Sequence, residues 1–261
     1  MDDAQFPEHG LYGRVKLAFE WIPNGTRSLL DAGCSYGYAT RFFAQKAQYV
    51  AGIDPNRELV EIAKRRYPKI DFRVSAMERT PFADASFDAV VMSDVLEHVA
   101  GERQTLDEVY RILAPGGRLI ITVPHKGVFS FLDIDNIAIA IKRHAPALYR
   151  QLFYLKERRF PEQRPGYEDW HRHYSYADLQ RLLASSRFSA GFTVERVRHC
   201  GLVMDVVISS AYQAARAFVG FRRANAVLAA LNPLYSADYA IDYGPASYNI
   251  ALCVQKNGSR A

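Results

Sequence analysis

Hydrophobic and polar positions follow two rhythms along the first half of the chain. Leu11, Val15, Ala18, Phe19 and Ile22 recur at helical spacing, which predicts an amphipathic helix over residues 10–22, stopped by Pro23-Asn24-Gly25. A short apolar run over 28–30 reads as a buried strand. It breaks into the turn Asp31-Ala32-Gly33-Cys34-Ser35-Tyr36-Gly37, and a helix is expected over 38–45. Residues 49–53 read as a second strand ending on Asp54. The next helix, 55–66, turns Leu59, Ile62 and Ala63 inward and Arg57, Lys64, Arg65 and Arg66 outward. Strands follow at 70–74, 87–92 and 118–123, with a helix over 103–113 closed by Pro115-Gly116-Gly117. Strands alternating with helices through Val123 predict an α/β fold with a parallel, doubly wound sheet.

After Pro124 the pattern loosens. Residues 125–174 form an insertion rich in aromatic and basic side chains, too long for an ordinary connection and read as partly helical. Ser175 is a candidate N-cap for a helix over 176–184, and 192–199 and 247–255 read as the last two strands. Between them, 203–231 is apolar and helix-like but broken by Gly220, Arg222 and Arg223, too interrupted to span a bilayer. A buried cap or homodimer face is the reading, with a membrane-surface helix as the alternative.

Composition narrows the class. With 49% apolar and 23% charged residues, the chain has material for a substantial core. Cys34, Cys200 and Cys253 show no paired spacing and leave one over, which argues against a disulfide framework and a cysteine zinc site. Met1-Asp2-Asp3 lacks the basic-then-apolar pattern of a signal peptide, so a cytoplasmic location is expected. A net charge of +5 leans toward anionic partners, but the basic residues are spread, densest at 156–159. That pattern gives no DNA-binding signature and counts against RNA.

The candidate chemistry begins at the turn. Glycines there permit backbone angles and close approaches that a β-carbon would block. In an open α/β sheet the crevice beyond a strand's carboxyl end is where a ligand sits, and an acidic residue is expected about twenty positions on. Asp54 stands there, able to accept both hydroxyl hydrogens of a ribose. The Gly-x-Gly-x-x-Gly spacing of dinucleotide sites is absent.

On these residues the chain resembles the class I S-adenosylmethionine-dependent methyltransferases, and a seven-stranded Rossmann-like sheet with a helical cap is the fold implied. The resemblance implies that Asp31, Gly33, Ser35 and Gly37 approach the methionine part of S-adenosylmethionine, with Ser35 where the family has its middle glycine. It places the ribose on Asp54, beside Pro55, and the adenine at Ala76, Met77 and Glu78, with Ser93 at the end of strand four completing the set. The segment Thr80 to Asp88 is similar to the LPFxDxSFD run of small-molecule members. The first helix would lid the cofactor, with His9, Tyr12 and Arg14 as candidates to face its methionine end. The implied layout is a cofactor-binding core over 1–124, an acceptor-binding cap over 125–174, and a completion of the sheet over 175–261 with a helical insertion at about 203–240.

Past strand four comes Asp94-Val95-Leu96-Glu97-His98. If Asp94 opens a helical turn, residues 94, 97 and 98 share a face, and two carboxylates with an imidazole suit Mg²⁺ or another divalent cation. The run resembles the Glu-x-x-Glu-His metal motif of ubiquinone-pathway O-methyltransferases and small-RNA 2′-O-methyltransferases. Leu-Glu-His after strand four also occurs in members with no metal implied, where the acid lines the acceptor pocket and the histidine is a base or packs. Methyl transfer requires alignment of a nucleophile with the methyl group. A hydroxyl acceptor also needs a base, which a neutral histidine provides, or an ion that lowers its pKa. His125, His171 and His173 are further candidates for base or ligand. Phe129 to Asn136 ends in Asp133, Asp135 and Asn136. Together with Tyr167, Asp169 and Trp170 it forms an aromatic and carboxylate set of the kind that grips sugars. SFLDxDN followed by HRHYS is similar to methyltransferases of glycan and polysaccharide gene clusters. The expectation is O-methylation of a sugar, glycan or polysaccharide precursor. The alternatives are a quinone, phenol or lipid acceptor, RNA 2′-O-methylation, and a non-catalytic S-adenosylmethionine-binding protein, which Ser35 keeps open.

Overall fold

The computed structural model describes residues 10–132, 140–157, 172–205 and 230–258. The apolar runs become strands β1 (Thr26–Ala32), β2 (Ala47–Asp54), β3 (Asp71–Val74), β4 (Phe87–Ser93), β5 (Leu113–Pro124), β6 (Phe192–Cys200) and β7 (Asn249–Lys256). They make one seven-stranded sheet in the order β3-β2-β1-β4-β5-β7-β6. The first five are mutually parallel, and β7 lies antiparallel between β5 and β6. This is the doubly wound, Rossmann-like methyltransferase sheet expected from the sequence.

Burial on both faces explains why the central strands read as nearly continuous apolar runs. In β4, Val90 and Met92 join Leu30, Leu106, Val109, Ile121, Leu179 and Phe188 in one core. Ala89 and Val91 point the other way, with Leu17, Trp21, Leu29, Ile120, Tyr235 and Tyr239. The helices are α1 (Gly13–Trp21), α2 (Thr40–Phe43), α3 (Arg57–Arg66), α4 (Glu102–Ile112), α5 (Pro146–Glu157), α6 (Tyr176–Ser185) and α7 (Asn232–Ala240). Local chemistry sets their ends. The Asn56 side chain accepts from the Glu58 and Leu59 N–H groups, and Lys64, Arg65 and Arg66 close α3 against its dipole. Ser175 caps α6 as expected, in a reciprocal capping box with Asp178.

Two boundaries differ from the sequence reading. The helix expected over 38–45 shrinks to α2, because the turn through Gly37 extends to Ala39. Strand five begins at Leu113 rather than 118, with Pro115-Gly116-Gly117 absorbed as a register shift against β4. Among the described residues no helix is long and apolar enough to cross a membrane. Most of the apolar 203–231 stretch lies outside the described residues.

Candidate active site

The glycine turn lies at the carboxyl end of β1. Gly33 and Gly37 both take φ of 80°, the left-handed region that glycine occupies freely. Neither site has room for a side chain. A β-carbon on Gly33 would overlap the Val95 side chain, and one on Gly37 would lie 2.8 Å from Phe72 Cζ and 2.9 Å from Tyr67 Cδ2. The N–H groups of Gly33 and Cys34 both donate to the Ile53 carbonyl, at 2.8 and 2.9 Å, which pins the turn to the end of β2.

Asp54 is built into this turn. Its Oδ2 accepts from the Ser35 N–H at 3.0 Å and its Oδ1 from the Asn56 N–H at 2.8 Å. Each carboxylate oxygen offers about two acceptor positions, so one on each remains for a vicinal diol. Ser35 holds φ of 50°, a left-handed conformation that costs an L-residue roughly 1–2 kcal/mol and a glycine nothing. The Ser75 N–H donates to the Asp54 carbonyl at 3.1 Å, bringing the loop with Ala76, Met77 and Glu78 beside the same carboxylate. Met77 is buried, Glu78 half-buried and Pro55 exposed. Ser93 ends β4 across β1 from them. The cradle and its carboxylate suit a nucleoside with free ribose hydroxyls.

Asp31 lies beneath the turn rather than in the open crevice. Only 3% of it is exposed, and its Oδ2 accepts from the Thr40 hydroxyl at 2.6 Å. Burial pushes its carboxyl up to about 7, with the Thr40 hydroxyl opposing and the charge of Asp54 adding.

The segment after β4 corrects the metal reading. Asp94 has φ of 57°, so it cannot open a right-handed turn, and only Leu96–His98 form a short 3₁₀ turn. The shared face expected of Asp94, Glu97 and His98 therefore does not form. Asp94 Oδ1 instead pairs with Arg14 Nη1 at 2.8 Å, while Glu97 is completely buried and His98 half-buried. Among the described residues no three His, Cys, Asp or Glu side chains gather where an ion could be held. As placed among the described residues, Asp94, Glu97 and His98 do not form a site that fits Mg²⁺.

Arg14, on the first turn of α1, reaches a polar cluster that the sequence did not reveal. Its Nη1 also donates to Asn249 Oδ1 at 2.9 Å. Asn249 Nδ2 donates to Asp205 Oδ2 at 2.7 Å and to the Tyr239 oxygen at 2.8 Å, and the Tyr239 hydroxyl donates to Asp205 at 2.7 Å. Burial works against the charged guanidinium, but Asp94, Tyr239, Asp205 and Glu97 outweigh it and hold Arg14 firmly protonated. Burial likewise pushes Asp205 up to about 6, against the pull of Arg14. Asp238 accepts from the N–H groups of Leu202, Val203 and Met204 and fixes the chain leading to Asp205. Tyr12 packs its ring 5.5 Å from that of Tyr235, and His9 lies outside the described residues.

Histidines gather at the end of β5. His125 is buried, with Nδ1 2.8 Å from Ser247 Oγ and its ring 5.0 Å from that of His199. Burial lowers its pKa, the Ser247 carbonyl opposes this, and His199 and His173 add to it. The ring is therefore a neutral imidazole near pH 7. Residues 172–174 are clamped alongside: the Tyr174 N–H donates to the Pro124 carbonyl at 2.9 Å, and the Lys126 N–H to the Tyr174 carbonyl at 3.0 Å. Arg172 Nη1 donates to the Val99 carbonyl at 2.7 Å and the Tyr174 hydroxyl to Glu102 at 2.5 Å, which ties this segment to the turn carrying Glu97 and His98. His199 had no role in the sequence reading. His171, Tyr167, Asp169, Trp170, Asp133, Asp135 and Asn136 lie outside the described residues.

Against known proteins, residues 30–121 match the family described as "Methyltransferase domain". A probable S-adenosylmethionine-dependent methyltransferase of Mycolicibacterium smegmatis is 36% identical over 104 residues, 40% of each chain. The mitochondrial ubiquinone biosynthesis O-methyltransferase of Rattus norvegicus is 35% identical over 118 residues, 42% of this chain and 34% of that one. The chain thus spans about two fifths of the length of the first curated relatives it matches. A solved SAM-dependent methyltransferase from Methanosarcina mazei shares the fold with a TM-score of 0.54 at 19% identity, covering 93% of this chain and 98% of that one. Residues 30–121 carry the methyltransferase-domain pattern, and the sheet they organise is the Rossmann-like methyltransferase fold.

Proposed function

We propose that this protein is an S-adenosylmethionine-dependent methyltransferase acting on a hydroxyl oxygen of a small molecule. The observation that carries the reading is Asp54, hydrogen-bonded to the glycine turn by one oxygen and to the start of α3 by the other, with acceptor capacity left on both. Bound S-adenosylmethionine supplies an activated methyl group on a sulfonium sulfur. The chain's own residues then have three tasks. The Gly33–Gly37 turn and Asp54 seat the nucleoside, and Val95 and the buried Leu96 shut water from that floor. His125, neutral near pH 7, is the candidate base for the acceptor proton, with His173 near enough to act on its charge and the Glu97–His98 turn tied to the same segment through Arg172.

The sugar or glycan acceptor is supported by the sequence of residues 129–136 and 167–174 alone. A quinol or related phenol is the second reading. It is supported by exposed apolar side chains on the insertion, Val128 and Phe131 just beyond His125 and Leu148 and Leu152 on α5. The ubiquinone-pathway relative points the same way. Titration calorimetry with S-adenosylhomocysteine, followed by a screen of sugars and quinols for S-adenosylhomocysteine release, tests both. Micromolar binding and turnover with one class sustain the reading and choose the acceptor. An absence of binding overturns it.

A further inference from the structure

We propose that Arg14 is a positioning residue for the cofactor site, acting through Asp94 and Val95. The chain leaving β4 must turn sharply, and it does so at an aspartate in the left-handed region, φ of 57°, where a residue with a β-carbon is strained. The Asp94 N–H donates to the Thr122 carbonyl at 3.0 Å, and its carboxylate pairs with Arg14 at 2.8 Å. The next side chain, Val95, then fills the space a β-carbon on Gly33 would need, so its placement shapes the floor of the glycine turn.

Arg14 is itself anchored from the far side of the sheet. The same Nη1 donates to Asn249 on β7, which is bonded to Asp205 and Tyr239. Gly13 brings α1 against the Tyr239 ring, which would lie 3.6 Å from a β-carbon there, and Lys16 Nζ bonds Ser236 Oγ at 2.9 Å. One guanidinium thus fixes α1, the end of β4 and the start of β7 relative to one another. Both contacts run through one nitrogen, Nη1, so a Lys ammonium that reached the same point would keep part of this tie. Without the cation, Asp94 and Asp205, whose negative charges already act on one another, lose the positive charge that both act on. Repulsion and backbone strain then both favour moving Asp94, and Val95 moves with it.

This role rests on the S-adenosylmethionine reading. The test is S-adenosylhomocysteine affinity by calorimetry, at a temperature well below each variant's melting point. Arg14→Met is expected to weaken binding about tenfold and Arg14→Lys by less. The discriminating variant is the double substitution Arg14→Met with Asp94→Gly. Glycine takes φ of 57° without strain and removes a carboxylate that has lost its cation, so affinity should return to within about twofold of Asp94→Gly alone. A residue that only stabilised the fold would lower the melting point without any such recovery. Binding by Arg14→Met equal to wild type overturns the proposal, as does a double variant no better than Arg14→Met. If Arg14→Met does not fold, Arg14→Lys with and without Asp94→Gly makes the same comparison. A wild-type protein that binds no S-adenosylhomocysteine removes the functional reading and this role with it, whereas normal wild-type binding with indifferent variants removes only this role.

Discussion

The buried carboxyl of Asp31 makes stability depend on pH in a direction opposite to the usual one for an aspartate. In the folded chain it titrates at about 7, against an ordinary 3.8. Between those values the native state keeps a proton that the unfolded chain has released, so stability falls as pH rises. The loss begins near the unfolded value and is complete above the folded one. About three pH decades at about 1.36 kcal/mol each amount to a penalty of roughly 4 kcal/mol above pH 7. Asp31→Asn preserves shape and leaves an amide oxygen to accept from the Thr40 hydroxyl, but it has no proton to lose. Its amide adds a cost that is the same at every pH. The gap between variant and wild type should therefore move toward the variant by about 3 kcal/mol from pH 5 to pH 8. Urea denaturation followed by tryptophan fluorescence, with Trp21 as a buried reporter, measures this directly. Curves for the two proteins that shift in parallel across that range would refute the reasoning.

Further outcomes follow from the same geometry. Asp54→Asn removes an acceptor of the Ser35 and Asn56 N–H bonds and the charge offered to a diol, so S-adenosylhomocysteine affinity should fall about 10- to 100-fold, read by calorimetry. Ser35→Gly relieves a left-handed serine and should raise the urea midpoint by an equivalent of up to ~1 kcal/mol without weakening that affinity. Removal of divalent cations with EDTA should leave turnover unchanged, because Asp94 is paired with Arg14 and the three expected ligands do not share a face; a loss restored by Mg²⁺ would contradict this.

The parallel half of the sheet was legible because its strands are buried on both faces and its turns are written in glycine. Asp31 through Gly37 and Asp54 could be read as one unit because a βαβ unit sets their spacing. The region after β4 was misread for a definite reason. Helical spacing for residues 94, 97 and 98 assumes right-handed backbone at Asp94, whereas Asp94 is left-handed and its carboxylate is paired with Arg14, 80 positions away in sequence. The cluster of Arg14, Asp205, Tyr239 and Asn249 was invisible for the same kind of reason. Its members come from α1, the segment after β6, α7 and β7, and only the closed sheet brings them within hydrogen-bond range.

The position of β7 has a consequence for how the molecule assembles. It is the last strand along the chain, yet it lies inside the sheet, with β5 on one side and β6 on the other. Strand β6 therefore has no partner until residues 249–256 have been added, however long it has existed. Six strands cannot form a smaller version of this sheet; they leave an apolar β5 edge open. Asn249, which holds Arg14 and Asp205, arrives on that same strand. A chain interrupted before residue 249 would thus carry the whole glycine turn and still lack the tie across the crevice, and its bare β5 edge would be a template for self-association.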